Sequence, residues 1–223
     1  MKDIFLLDMD DTLFDFRRTE QINLRDTLAL FGISADAEVW KSFHEINALL
    51  WQEFERGEIT KPQIKLKRFE RLFAKYGYSA DIAAVSEKYV NNFNEICIPF
   101  DGAREFLSAL SELGCIYAVT NGNTDCQKRH VADAGFLPMF DGMFISDEIG
   151  FAKPSKQFAE YVKTHIPGFE CHRAVWVGDS LTSDKECAAA AGVDFILYAP
   201  NGVPCGYTGV SAKDYNQLLK LIK

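Results

Sequence analysis

The feature that most constrains the fold is a short apolar run near the N-terminus that ends in carboxylates. Ile4 to Leu7 are all apolar, and the chain continues Asp8-Met9-Asp10-Asp11-Thr12. Four successive apolar residues bounded by polar ones are typical of a central parallel strand that is buried on both faces. Side chains alternate along an extended chain, so Asp8 and Asp10 should point to the same side. We therefore predict a buried strand that delivers two carboxylates to one place.

Two carboxylates at the end of an apolar strand repel each other, so a cation or a bound proton must relieve the charge. Magnesium is the simplest candidate, because it takes hard oxygen ligands and usually keeps waters and phosphates in its coordination shell. The alternative is that these aspartates only form a turn or cap a helix, which are common roles for aspartate. Residues farther along the chain must decide between the two.

Length and composition limit the classes of partner. The chain has 223 residues, 48% of them hydrophobic, which suffices for one large domain or two modest ones. The formal charge of −8 argues against a nucleic-acid polymer as the main partner, since such partners demand a basic face. The sequence contains no CxxC pair, cleavable apolar leader or run of about 20 apolar residues. We expect a soluble, cytoplasmic protein that does not associate with a membrane.

Two patterns of secondary structure divide the chain. Residues 16–96 show apolar residues at helical spacing and no convincing strand, which predicts an all-helical insert. Residues 1–15 and 97–223 instead alternate short apolar strands with helices, the pattern of a parallel α/β sheet. After the first strand, we predict strands at 115–120, 143–146, 174–177 and 194–198, and a terminal helix within 211–223.

Polar residues follow several of the predicted strands. Thr120-Asn121-Gly122 ends one strand, Lys153 precedes Pro154 in a later loop, and Gly178-Asp179 ends another strand shortly before Asp184. Taken singly, the threonine, the asparagine and the two aspartates can cap helices, and the lysine can be an ordinary solvated residue. Open parallel sheets, however, bind ligands at the carboxyl ends of their strands. The common placement of these residues favours a site.

The first two acids suit attack on a phosphate ester. Asp8 can attack phosphorus and form an aspartyl phosphate, which divides hydrolysis into two easier displacements. Asp10 can give a proton to the leaving oxygen and later take one from the attacking water.

The later residues suit stabilisation of the transferred group. Lys153, Thr120 and the backbone at Asn121-Gly122 can neutralise charge on the phosphoryl oxygens. Asp179 can complete the Mg²⁺ ligands together with the first aspartate, and Asp184 can hold a metal-bound water or orient the lysine.

Taken in order, these segments resemble the four motifs of the haloacid dehalogenase (HAD) superfamily. The matching segments are Asp8-x-Asp10-x-Thr12, Thr120-Asn121-Gly122, Lys153-Pro154 and Gly178-Asp179-Ser180-x-x-x-Asp184. The resemblance implies an α/β fold, with a Rossmann-like parallel sheet core and an all-helical cap inserted after the first strand. It also implies Mg²⁺-dependent hydrolysis of phosphomonoesters.

The resemblance assigns a role to each motif residue. It makes Asp8 the nucleophile and Asp10 the acid/base whose main-chain carbonyl also touches magnesium. The other implied roles are phosphate binding by the Thr120 hydroxyl, charge balance by Lys153, metal binding by Asp179 and support of the loop around the acid/base by Thr12.

Several activities share this set of motifs. Dehalogenases are similar but lack the second acid, so Asp10 favours a phosphatase. Phosphoglycolate and sugar-phosphate phosphatases remain open, as do mutases resembling β-phosphoglucomutase, which retain both acids. Receiver domains, which are non-enzymatic phosphoacceptors, have a similar acid cluster with a threonine and a lysine. They lack an inserted helical cap and a late Gly-Asp motif.

The substrate class depends on a narrower resemblance. Asp15-Phe16, Thr120-Asn121-Gly122 and the run from Ser146 to Pro154 resemble the bacterial pyrimidine nucleotidases of this superfamily. A helical insert that closes over the site also requires a small substrate. We therefore expect a small phosphorylated metabolite, specifically a nucleoside 5′-monophosphate. The sequence leaves the oligomeric state open.

Overall fold

A computed structural model describes residues 2–223 as two compact units. The first unit runs from the N-terminal strand to Asp15 and resumes at Pro99, and the second unit spans Phe16–Ile98. The junction that the sequence predicts between residues 96 and 97 therefore lies two residues before the one in the structure. None of the helices in residues 2–223 has the length and apolarity needed to cross a bilayer.

The first unit is built on a parallel sheet. In chain order the strands are β1 (Ile4–Leu7), β2 (Cys115–Thr120), β3 (Gly142–Ile145), β4 (Ala174–Gly178), β5 (Asp194–Tyr198) and β6 (Ser211–Ala212). Their spatial order is β3-β2-β1-β4-β5-β6, and all five pairings are parallel. The chain thus builds outward from β1 in one direction and then in the other. Such a reversal creates a crevice at the carboxyl ends of the central strands, where open α/β sheets bind ligands.

The helices divide between the units. The second unit contains α1 (Phe16–Leu30), α2 (Ala37–Glu55), α3 (Lys61–Tyr76) and α4 (Ile82–Glu95). The first unit contains α5 (Ala103–Ser111), α6 (Thr124–Asp133), α7 (Ser146–Ile149), α8 (Lys156–His165), α9 (Asp184–Ala191) and α10 (Tyr215–Ile222). The α/β class and the parallel sheet that the sequence predicts are confirmed.

The centre of the sheet is buried, as the apolar run of β1 requires. Phe5, Leu6 and Leu7 are all fully buried, so both faces of β1 are covered. On one face, Leu6 lies in a cluster with Trp176 of β4 and apolar residues of α8 and α9. The register pairs Leu7 with Ala118 of β2 and with Val177 of β4, which aligns the carboxyl ends of the three strands. Residues that follow these strands therefore meet at one edge.

The second unit has a hydrophobic core of its own. The core draws on all four helices and includes Leu24, Phe43, Phe69, Val85 and Tyr89. The Gln63 side chain accepts a hydrogen bond from the Thr60 backbone N–H at 2.8 Å where α3 begins, and Gly77 ends this helix with a φ of 70°. A left-handed residue at a helix C-terminus favours glycine.

Several element boundaries differ from those the sequence indicates: β3 lies one residue earlier than the predicted 143–146, and β4 extends one residue beyond the predicted 174–177. The helical spacing of apolar residues predicts that the last helix of the second unit starts at Ser79, but it begins at Ile82. The Asp81 carboxylate accepts hydrogen bonds from the N–H groups of Ala83 and Ala84 and caps the helix there. The segment 211–223, within which the sequence predicts a terminal helix, also contributes β6. This strand has two residues, too few to produce an apolar run in the sequence.

Candidate active site

A tight turn after β1 carries the first two acids. The Asp8 N–H donates to the Val177 carbonyl at 2.9 Å, which continues the pairing of β1 with β4 by one residue. The Met9 carbonyl then accepts from the N–H groups of Leu13 and Phe14, so the chain folds back at once. Asp11 takes the left-handed conformation with a φ of 57°, which aspartate tolerates better than most residues.

The carboxylate of Asp8 is held by two side chains. Lys153 Nζ lies 2.5 Å from Asp8 Oδ1, and the Thr12 hydroxyl donates to Asp8 Oδ2 at 3.2 Å. The role predicted for Thr12, support of the loop around Asp10, stays a prediction, and the contact with Asp8 is a further feature of Thr12. Its carbonyl accepts a hydrogen bond from Tyr215 at 2.8 Å, which ties the turn to α10.

Lys153 is the centre of the ionic network. Besides Asp8, its ammonium group donates to Asp184 Oδ1 at 2.6 Å and to the Val119 carbonyl at 2.9 Å, and its side chain is only 2% exposed. Burial opposes the charge, but attraction from Asp184 and Asp8 outweighs it and raises the pKa of Lys153. The lysine therefore stays charged and offers each of its three protons to an acceptor.

Asn121 fixes the backbone of this lysine. Its Nδ2 donates to the Lys153 carbonyl at 2.8 Å, and its Oδ1 accepts from the Lys153 N–H at 2.8 Å. Both ends of the side-chain amide are thus engaged. The phosphate contact predicted for Asn121 would therefore come from its backbone, and it stays a prediction. Next to it, the buried Thr120 hydroxyl accepts from the Gly122 N–H at 2.9 Å.

Asp184 lies behind the lysine, and Gly178 makes room for it. A Cβ atom at position 178 would lie 2.3 Å from Asp184 Cγ, so only glycine allows this approach. The carboxylate also accepts from Trp176 Nε1 and from the Ser180 N–H, both at 3.2 Å. Of the two roles that the sequence suggests for Asp184, orienting Lys153 is the one with a direct contact.

Three acids form a group that could hold a cation. One carboxylate oxygen from each of Asp8, Asp179 and Asp184 lies within 4.8 Å of the other two. Burial, followed by repulsion from Asp184, raises the pKa of Asp8 to about 8 against the opposing effect of Lys153. The side chain of Asp179 keeps solvent contact, yet the protein packed around its carboxylate, together with repulsion from Asp8 and Asp184, raises its pKa. Crowded acids beside a single lysine fit a hard divalent cation such as Mg²⁺, which would relieve this repulsion.

Asp10 has different surroundings from Asp8. Its Oδ2 accepts a hydrogen bond from Gln127 Nε2 at 2.7 Å. Burial raises the pKa of Asp10, while His130 and the Gln127 hydrogen bond act in the opposite direction. Two acids from one turn are thus held by separate sets of neighbours, the arrangement that lets one carboxyl group differ from another in role.

Gln127 was not among the residues that the sequence predicts for the site. It lies on α6, where the buried positions also include Cys126, His130 and Val131. A glutamine and a histidine on the buried side of a short helix, directly after the Thr-Asn-Gly motif, are the signal that could have found it. Burying a polar side chain is unfavourable unless it forms a hydrogen bond, so these residues indicate a polar partner inside the protein.

The chain is similar to known proteins over most of its length. A model of the haloacid dehalogenase-like hydrolases matches residues 2–192. Pyrimidine 5′-nucleotidase PynA of Streptococcus pneumoniae is 33% identical over 198 residues, which cover 88% of this chain and 83% of that protein. Pyrimidine 5′-nucleotidase YjjG of Escherichia coli is 28% identical over 223 residues, 97% of each chain.

YfnB of Bacillus subtilis, which bears the name of a HAD-hydrolase, is similar in both sequence and structure. It is 35% identical over 199 residues, which cover 89% of this chain and 85% of that protein. Its magnesium-bound crystal structure matches with a TM-score of 0.93 over 99% of this chain and 98% of that one, at 31% identity. Since the family match spans most of the chain and two relatives exceed 30% identity, the chain belongs to the haloacid dehalogenase-like hydrolases.

Proposed function

We propose that this protein is a magnesium-dependent phosphatase that cleaves small phosphate monoesters through a phosphorylated Asp8. The observation that carries the proposal is the buried Lys153 ammonium group, 2.5 Å from Asp8 Oδ1, beside a second acid held by other neighbours. A carboxylate, a fixed cation and a separate proton donor are the groups that nucleophilic phosphoryl transfer requires.

In the first step a carboxylate oxygen of Asp8 attacks phosphorus while the bond to the ester oxygen breaks. Asp10 gives its proton to the departing alkoxide, so an alcohol leaves. The Thr120 hydroxyl contacts a phosphoryl oxygen, and the positive charge of Lys153, held beside Asp8, offsets the charge that develops on the phosphoryl group. The products of this step are an alcohol and an acyl phosphate on Asp8.

In the second step water attacks the phosphorus of the acyl phosphate. Asp10, now ionised, takes a proton from this water, and the bond between phosphorus and Asp8 breaks. Inorganic phosphate leaves, and both acids return to their starting forms. The sum of the two steps is hydrolysis of the ester by one water.

The acid cluster supports a metal requirement. The Asp8 and Asp179 side chains, together with the Asp10 main-chain carbonyl, would hold Mg²⁺, and Asp184 would act mainly through Lys153. When bound, the ion supplies positive charge that keeps Asp8 ionised and neutralises the phosphoryl group. The magnesium in the YfnB crystal structure supports this choice of metal.

For the substrate we propose nucleoside 5′-monophosphates, with pyrimidine bases preferred. The support is the names of PynA and YjjG, both pyrimidine 5′-nucleotidases, together with the motif resemblance from the sequence. Such substrates are intracellular, so we also propose a cytoplasmic location. Sugar-phosphate and phosphoglycolate phosphatases and mutases are the competing possibilities, and a dehalogenase is disfavoured because Asp10 is present.

A turnover screen tests the substrate. We expect kcat/KM for UMP, dUMP or dTMP to exceed that for hexose phosphates and phosphoglycolate by at least about tenfold, or about 1.4 kcal/mol of transition-state binding. The Asp8→Asn protein, purified in parallel, controls for contaminating phosphatase. Equal or better turnover of phosphoglycolate would reject the nucleotidase but leave the phosphatase intact. Failure to release phosphate from any ester would reject both.

A further inference from the structure

Gln127 is a buried amide with one side-chain hydrogen bond among the described residues. Its side chain is 1% exposed, and Nε2 donates to Asp10 Oδ2 at 2.7 Å. Its Oε1 is buried and has no hydrogen-bond partner within residues 2–223. An apolar side chain of similar volume would fill this space without leaving a buried carbonyl unsatisfied. The polar end of Gln127 is therefore better explained by its contact with Asp10 than by packing.

Gly122 provides the space through which the amide reaches Asp10. A Cβ atom at this position would lie 2.2 Å from Gln127 Nε2 and 2.6 Å from its Cγ. Gly122 is not among the glycines with positive φ, so its backbone conformation alone does not require glycine. The requirement comes from the glutamine, so the third residue of the Thr120-Asn121-Gly122 motif makes room for the side chain that contacts the acid in the turn after β1.

The hydrogen bond from Gln127 makes the two carboxylate oxygens of Asp10 inequivalent. Oδ2 accepts the amide proton, and a second proton on the same oxygen would compete with that bond. The proton of the carboxylic acid is therefore directed to Oδ1. Rotation of the carboxyl group is also restricted, because the buried amide fixes one of its ends.

We propose that Gln127 is a positioning residue, which orients Asp10 so that Oδ1 exchanges the proton with the leaving oxygen and with water. The proposal rests on the proposed phosphatase activity and deepens it. It predicts that the loss of Gln127 matters most where the leaving group needs a proton. An alkoxide such as the 5′-oxygen of a nucleoside needs one, whereas 4-nitrophenolate leaves without help.

The test compares two esters in the first turnover, which reports cleavage of the ester bond alone. Rapid-quench release of uridine from UMP and of 4-nitrophenol from 4-nitrophenyl phosphate is measured for the parent protein and two variants. Gln127→Met keeps the length of the side chain without the donor, and Gln127→Asn keeps the amide but shortens its reach. The matched control is Arg129→Ala, an exposed position on the same helix.

We expect both Gln127 variants to lose about 10- to 100-fold in uridine release, part of the 10²–10⁴ that proton transfer supplies, and less than about 3-fold in 4-nitrophenol release. Thermal melting identifies a variant that fails to fold, in which case the other carries the test. An equal loss with both esters, or no loss with UMP, would overturn the proposal while leaving the phosphatase intact. If the parent protein cleaves neither ester, the proposed function fails and this inference fails with it.

Discussion

Replacing Lys153 by methionine should destabilise the first unit strongly, because it leaves buried carboxylates without their cation. The substitution removes the donors at 2.5 Å from Asp8 and 2.6 Å from Asp184, while the methionine keeps most of the volume. Removing one partner of a buried ion pair costs about 3–5 kcal/mol. We expect a loss of this size in the free energy of unfolding, measured in EDTA so that no metal replaces the lysine.

The loss should depend on pH in a defined direction. The pKa of Asp8 is about 8 in the folded protein, well above its value of about 3.9 in an unfolded chain. Loss of Lys153 should raise the pKa of Asp8 in the folded protein further. The folded variant then binds more protons than its unfolded chain over a wider range of pH than the parent protein does. The destabilisation should therefore be smallest near pH 5 and should grow as the pH rises toward 9.

Trp176 provides a fluorescent probe confined to the first unit. It is fully buried in β4 and donates to Asp184, whereas the other two tryptophans, Trp40 and Trp51, lie in the second unit. The Trp40→Phe/Trp51→Phe protein is unfolded in urea with and without Lys153→Met, and the fluorescence of Trp176 is followed. The difference between the two unfolding curves gives the effect of Lys153→Met on the stability of the first unit.

Two further variants make the unfolding result specific. Lys156→Met is the matched control, since Lys156 is exposed and its loss should change stability by no more than about 0.5 kcal/mol. Adding Asp184→Asn to the Lys153→Met protein should recover part of the loss, because it removes one of the unpaired carboxylates. A loss below about 1 kcal/mol, or one that is unchanged between pH 5 and pH 9, would refute the electrostatic reasoning.

Three further predictions follow from individual contacts. Mg²⁺ at 100 times its Kd, without substrate, should stabilise the protein by about 2.7 kcal/mol and raise the thermal midpoint by about 5–10 °C. The increase should be larger at pH 8 than at pH 6, because protons compete with the metal for Asp8. An equal increase of the midpoint in the Asp179→Asn protein would contradict this prediction. Asp10→Asn should lower turnover of UMP about 10²–10⁴-fold in a steady-state phosphate-release assay, and near-normal turnover would exclude its role in proton transfer. Asp81→Ala removes the N-cap of α4 and should destabilise the second unit by about 1 kcal/mol in urea unfolding followed through a Trp176→Phe protein; an unchanged midpoint would mean that the cap contributes nothing.

The sequence predicts the strands that position the site well, because each strand is indicated by a short stretch of consecutive residues. The strands at Ile4–Leu7, Cys115–Thr120 and Asp194–Tyr198 have the predicted bounds, since each is built mainly of consecutive apolar residues. Parallel pairing then brings strand ends together without further information. For this reason the sequence predicts that Asp8 and Lys153 lie at the same edge of the sheet, and in the structure the two side chains are in contact.

What the sequence does not predict depends on how distant side chains orient. The Gln127 contact with Asp10 joins residues 117 positions apart and requires a particular rotation of α6. The engagement of both ends of the Asn121 amide by the Lys153 backbone is likewise a product of loop geometry. Neither leaves a periodic pattern, because each involves a single residue. The two-residue strand β6 is also not predicted, because it is too short to produce an apolar run.

The central claim, that Asp8 becomes phosphorylated during turnover, can be tested by trapping. The protein is mixed with UMP and Mg²⁺, quenched in acid and treated with borohydride, which reduces an aspartyl phosphate to homoserine. The tryptic peptide of residues 3–17 is then sequenced by mass spectrometry. We predict homoserine at position 8 and none in the Asp8→Asn protein or without substrate. Modification of a different aspartate in this peptide, or sustained turnover of UMP with position 8 unmodified throughout, would contradict the account.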